Sequence, residues 1–152
     1  MKAYQILFAP FKRNENHYDG VRPMQIYLLR LVFCLTFIFV GMDSWSKIIS
    51  QKEVWDPLNA VAYSVWGAYS VLSLLGILNP LKMLPIIIFQ IFYKVIWLIM
   101  VAYPLWAGGT LIASPAYGMT IAFMWVLLPI IAMPWGYFFK TIVRQVNGNT
   151  LG

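Results

Sequence analysis

Lys94 is the residue of this chain with the strongest claim to chemistry. It stands near the middle of MLPIIIFQIFYKVIWLIMVAY, residues 83–103, an otherwise almost unbroken apolar run. About 20 such residues make a helix long enough to cross a hydrocarbon layer of roughly 30 Å. At ~1.5 Å of rise per residue, the amine lies roughly 15 Å from either end of that helix. A cation at such a depth costs at least ~2.5 kcal/mol, so these side chains are turned inward and often have a role. Gln90 precedes Lys94 by one helical turn, and Trp97 or Leu98 follows on the same face. Three states of the amine are compatible with this pattern. It can sit neutral, hydrogen-bonded to Gln90 and hydroxyls. It can carry its charge against an anionic or carbonyl-bearing ligand, such as a lipid headgroup or a quinone oxygen. It can pair with an acid from another subunit. Only the second and third imply function.

At comparable depth the other apolar runs offer Cys34 and Thr36, residues 64–70, and residues 125–129, none of them a carboxylate. The five acids, Glu15, Asp19, Asp43, Glu53 and Asp56, all fall at the expected surface, so no intramembrane ion pair can be drawn within one chain. Trp66, Trp97 and Trp125 lie inside apolar runs. They are either bulky filler or the lining of a flat apolar pocket beside Lys94, suited to an aromatic or isoprenoid ligand. Arg30 sits about one and a half turns inside the basic end of the first run, close enough to snorkel back to the headgroups.

Other chemistry is excluded by what the chain lacks. His17 is the single histidine and Cys34 the single cysteine. His17, flanked by Asn16, Tyr18 and Asp19, reads as a solvated loop residue, and one cysteine makes neither an intrachain disulfide nor a metal cluster. No serine elbow, phosphate-binding glycine loop or CxxC is present, and the runs carry no histidine for haem. The pattern argues against an independent enzyme and implies no cofactor by motif.

These residues must be positioned by helices in lipid. Of 152 residues, 61% are hydrophobic and 11% charged, against roughly 25% charged in a soluble domain. That leaves one all-α domain, an integral membrane four-helix bundle with spans at about 24–42, 57–78, 83–103 and 119–139. Residues 3–11, whose aromatics and leucine alternate with Lys2, Gln5 and Lys12, could lie along the membrane as an interfacial helix or form a loose tail. The polar connection 43–56 has room for a short surface helix. Asp56-Pro57 is an N-cap followed by proline at the first helical position. The second span carries Ala60, Ser64, Gly67, Ala68, Ser70, Ser73 and Gly76, small residues that let backbones approach, and is expected to be the packing centre. Only residues 79–82 join it to the third span, which predicts antiparallel neighbours. The uncharged loop 105–118 is expected to fold back against the membrane boundary or partly re-enter. Pro129 and Pro134 can kink the fourth span, and Trp135, Tyr137, Phe138 and Phe139 form an aromatic belt ahead of Lys140 and Arg144. The final residues, 146–152, read as a disordered tail.

Charge sets the topology. Lys2, Lys12, Arg13, Arg22, Arg30, Lys82, Lys140 and Arg144 collect on one side with Glu15 and Asp19. Lys47 and Lys52 face Asp43, Glu53 and Asp56 on the other. By the positive-inside rule, the segment 1–23 and the tail 140–152 are both cytoplasmic, a parity that four spans satisfy. The net charge of +6 is thereby accounted for by helix orientation rather than by nucleic acid.

The first span, LLRLVFCLTFIFVGMDSWSKII, resembles the opening helix of the DoxX-like family of small four-helix bacterial membrane proteins. There an arginine enters the helix, a phenylalanine-rich stretch follows, and a glycine and a lysine close it. Here these are Arg30, Phe33, Phe37, Phe39, Gly41 and Lys47. The family's glycine and lysine usually sit closer together, and its second helix often carries a glutamate that residues 68–73 lack. The resemblance implies an accessory membrane subunit, in some members linked to quinone-coupled oxidation of sulfur compounds. The expected function is therefore that of an accessory or assembly subunit of a bacterial inner membrane, or a binder of a quinone or lipid, with Lys94, Gln90, Trp97, Trp66, Trp125 and Arg30 as site residues. Expected partners are membrane lipids and another membrane subunit or copy of the chain. The alternative is a small oligomeric transporter or channel with Lys94 and Gln90 lining its path.

Overall fold

The computed structural model describes residues 20–148, with side chains to residue 141. The expected interfacial segment at 3–11 and the loop histidine His17 lie outside the described residues. Among those described, the chain is helical throughout and contains no strand. Three helices are long and apolar enough to cross a membrane: α1 (Pro23–Ser50), α2 (Pro57–Leu78) and α3 (Leu84–Ala107). A 3₁₀ turn at Leu111–Ala113 leads into α4 (Tyr117–Met124), α5 (Leu127–Ala132) and α6 (Trp135–Gly148). The last apolar run makes a fourth candidate span when the helices on either side of its break at 133–134 are counted together.

The helix boundaries follow from local chemistry. Arg22 is extended (φ −68°, ψ 135°), as a residue before proline must be, and Pro23 opens α1. Asp56 caps α2, with the Asn59 N–H donating to its Oδ1 at 3.0 Å and Pro57 in the first turn. α2 ends at Leu78, just before Asn79-Pro80. At the end of α3, Gly109 takes a left-handed φ of 69° that a side chain would disfavour, and its N–H donates to the Trp106 carbonyl.

α1 differs from expectation. It continues through 43–50, where a polar connection was predicted, and Lys47 in its last turn complements the helix dipole. Its 28 residues span roughly 42 Å at ~1.5 Å each, more than a bilayer core is thick. Inside it, Thr36–Val40 forms a wider π turn. A second π turn, Leu98–Ala102, interrupts α3 and ends two residues before Pro104, which has no N–H to offer the Met100 carbonyl.

The fourth run is broken twice, each time where a proline removes a backbone donor. Pro129 cannot donate to the Trp125 carbonyl; the Leu128 N–H takes that oxygen at 3.1 Å, and α4 stops at Met124. Pro134 lies in the second break, and α6 begins at Trp135. α6 runs to Gly148, so 140–148, read from the sequence as tail, continues a helix. Residues 149–152 of the expected disordered tail lie outside the described residues.

The described residues form two compact units, 20–84 with 132–148, and Pro85–Ile131. In the first, α1 and α2 pack antiparallel. Phe33 lies over Gly76, Gly41 meets Ser70, and Trp45 and Ile48 close over Gly67. Gly67, Ser70, Ser73 and Gly76 recur every third residue and are all buried, while Ser64 and Ala68 are exposed. The expected small-residue face is thus narrower than its composition suggested. The hydroxyls are satisfied within α2: Ser70 Oγ donates to the Gly67 carbonyl at 2.7 Å and Ser73 Oγ to that of Tyr69 at 2.9 Å. The close approach is left to packing alone. In the second unit, the π turn of α3 packs against α4. Each unit exposes large apolar side chains, Phe39 and Met42 in the first and Ile99, Met100 and Ile131 in the second. A water-facing surface rarely exposes so many.

Candidate functional site

Lys94 is the only charged residue in Pro85–Ile131, and no aspartate or glutamate follows Asp56 anywhere in the chain. Its side chain is 7% exposed. The π turn begins four residues further on, at Leu98. Without a carboxylate in the same unit, a buried amine keeps its charge only against another source of negative potential. The aromatic face of Phe123 on α4 supplies one, with Lys94 Nζ 5.9 Å from the ring centroid. A cation so placed over a ring gains on the order of 0.5–2 kcal/mol, rising as water is excluded.

The ring of Phe123 is fixed by two other aromatics from α3. Tyr93 meets it edge to face at 5.5 Å and 84°, and Trp97 at 5.0 Å and 69°. Phe89 leans on Tyr93 at 5.5 Å. Phe123 is itself 6% exposed, so its face is held rather than free to rotate. The result is an amine over a ring that other aromatics hold in place, a contact that does not consume its hydrogen-bond donors. An ammonium has three donors and a π face engages it electrostatically, so donors remain for a carbonyl or anionic oxygen.

The expected site residues divide as follows. Gln90 is buried and engaged, one turn from Lys94. Trp97 shares the Phe123 ring with Lys94. Trp125 is 69% exposed and lines a shallow apolar groove with Ile121, Met124, Leu127, Leu128 and Ile131, a groove that Lys94 does not line. Trp66 belongs to the first unit, where its ring packs edge to face on Tyr63 at 5.4 Å. Arg30, also in the first unit, is half-buried, and its Nε is buried with no hydrogen-bond partner among the described residues. Ser44 Oγ is in the same condition. Among the described residues no group of three or more His, Cys, Asp or Glu side chains could hold a metal.

Sequence reasoning missed Phe123 and Tyr93. Phe123 carries no polar signature and sits in an apolar run of similar residues; Tyr93 adjoins Lys94 in sequence but is rotated about 100° from it on an isolated helix. Only knowledge of which face of α4 meets α3 brings Phe123 to the amine and Tyr93 to Phe123.

No protein-family model, curated protein or solved structure matches this chain.

Proposed function

We propose that this is a four-span protein of a bacterial inner membrane, with both termini cytoplasmic, that binds a lipophilic molecule carrying a carbonyl or anionic oxygen, a quinone or a lipid, at Lys94. It acts as an accessory or assembly subunit of DoxX-like type. The observation that carries this reading is the buried amine in an acid-free unit, seated on the Phe123 face with donors to spare. Support for spanning comes from helix lengths, the apolar exterior and the asymmetry of charge. Arg22, Lys82, Lys140 and Arg144 flank one set of helix ends, and Lys47 and Lys52 stand among three acids at the other.

The test is the content of the purified protein. Wild type isolated in mild detergent is expected to carry a quinone or lipid at near-stoichiometric level, detected by solvent extraction and mass spectrometry. Lys94→Met, checked for unchanged helicity by circular dichroism, loses it. Equal occupancy in a folded Lys94→Met variant overturns the assignment. So does a stoichiometric partner chain bound through Lys94 in place of a small molecule. Extraction of the chain by alkaline carbonate, or labelling that puts the two termini on opposite faces, overturns the topology.

A further inference from the structure

The α6 helix departs from the pattern of a crossing segment, and its own register says what it suits. Trp135, Phe138 and Phe139 fall on one face by helical spacing, and their rings contact one another: Trp135 stacks on Phe139 at 5.9 Å and 26°, and Phe138 meets both. Positions 142 and 146, isoleucine and valine, continue that stripe in the same register. Lys140 and Arg144, four residues apart, fall on the opposite side, with Asn147 one turn beyond by the same spacing. Phe139 is 57% exposed and Lys140 is exposed, so both the apolar stripe and the charged side reach the surface. The 14 residues of α6 cover roughly 21 Å, too short to cross a bilayer core alone. Residues 117–134 before it number about the minimum for a crossing, so on this inference the fourth span ends at the break and does not take in α6. The aromatic belt stands where that crossing would end, and amphipathic helices with such a belt lie in the interface plane.

We infer that α6 is an in-plane anchor for an anionic lipid surface, with Trp135, Phe138 and Phe139 sunk among the upper acyl chains and the cationic side of the helix, which begins at Lys140, toward headgroup phosphates. The choice of an anionic surface rests on charge. α6 has two cations and no acid, and on the cytoplasmic leaflet such residues are drawn to anionic headgroups within a Debye length. The inference takes the membrane-spanning reading above as its premise and adds a lipid preference that the reading does not contain.

The experiment uses the full chain reconstituted into vesicles of phosphatidylcholine, with or without phosphatidylglycerol. An environment-sensitive fluorophore is placed at Phe139→Cys or Asn147→Cys in a Cys34→Ser background. The label at 139 is expected to be quenched best by lipids bearing a nitroxide high on the acyl chain, and the label at 147 by aqueous iodide. Quenching at 139 should be stronger with phosphatidylglycerol present. Lys140→Gln with Arg144→Gln, or salt raised to about 1 M, should cut it by about half, to the level in neutral vesicles. Three results overturn the inference: strongest quenching by a nitroxide near the chain end, quenching that ignores the anionic lipid, and a label shielded from lipid and water alike. Any of them leaves the spanning reading intact, whereas release of the protein by carbonate removes the premise itself.

Discussion

Replacing Gly76 by alanine tests how α1 and α2 are held together. A Cβ at Gly76 would fall onto the ring of Phe33, meeting its Cδ1, Cε1 and Cγ at distances no real contact allows. These are atoms at the root and side of a rigid ring, and Phe33 is fully buried, so the ring has no empty space to turn into. The helices must separate locally or Phe33 must leave its rotamer. Overpacking of this kind costs about 1–3 kcal/mol, which lowers the folding equilibrium constant roughly 5- to 150-fold. The loss matters more in lipid than in water, because apolar burial gives helices little reason to associate there and close packing carries the interface. Two controls bracket the effect. In Gly67→Ala the nearest atom is the flexible tip of Ile48, Cδ1 at 3.3 Å, and the cost should stay below about 1 kcal/mol. In Gly118→Ala nothing lies within 4 Å, and helix propensity makes the change neutral or favourable by up to about 1 kcal/mol. Unfolding of the purified protein from mild detergent into increasing dodecyl sulfate, followed by circular dichroism, ranks the three. Phe33→Leu combined with Gly76→Ala should recover part of the loss. If Gly76→Ala unfolds at the same point as Gly118→Ala, the Phe33–Gly76 contact does not hold these helices together.

Three further outcomes are expected. Asp56→Ala removes the acceptor for the Asn59 N–H and should cost about 0.5–2 kcal/mol in the same assay, while Asp56→Asn, which keeps a capping oxygen, should stay near wild type. For the Lys94 site, Lys94→Met alone should leave stability unchanged or raise it, since a buried cation is exchanged for an apolar chain of similar length. Phe123→Leu should destabilise the wild type by about 1 kcal/mol more than it destabilises Lys94→Met, the difference measuring the cation–π contact. Equal costs in both backgrounds would mean that the ring does nothing for the amine.

Much of the helix inventory was legible because it depends on neighbours in the chain. α2 begins and ends where Asp56-Pro57 and Asn79-Pro80 predict, since capping and the missing proline N–H act within one turn. Pro129 and Pro134 mark both interruptions of the last apolar run for the same reason. The polar stretch 43–50 forms the helix for which its sequence had room, but as the continuation of α1 rather than as a separate surface element. Polarity there says which medium surrounds the helix, and Gly41, Ser44, Trp45 and Ile48 continue it because they pack along α2. The π turns carry no signature that a window of residue types would register.

The candidate site divides along the same line. Lys94 and Gln90 announce themselves because polar residues in a long apolar run are conspicuous, and their spacing alone puts them on one face. Which aromatic meets the amine is a different kind of fact. Trp66, Trp97 and Trp125 were equivalent by composition and depth; in the fold Trp97 joins the Phe123 cluster, Trp125 faces outward onto its own groove, and Trp66 packs on Tyr63. Length and apolarity of each helix are sums over its own residues, so the amino-acid order determines them. The rotation of one helix against another depends on side chains far apart in the chain, and only the tertiary structure decides that Phe33 covers Gly76 and that Phe123 lies under Lys94.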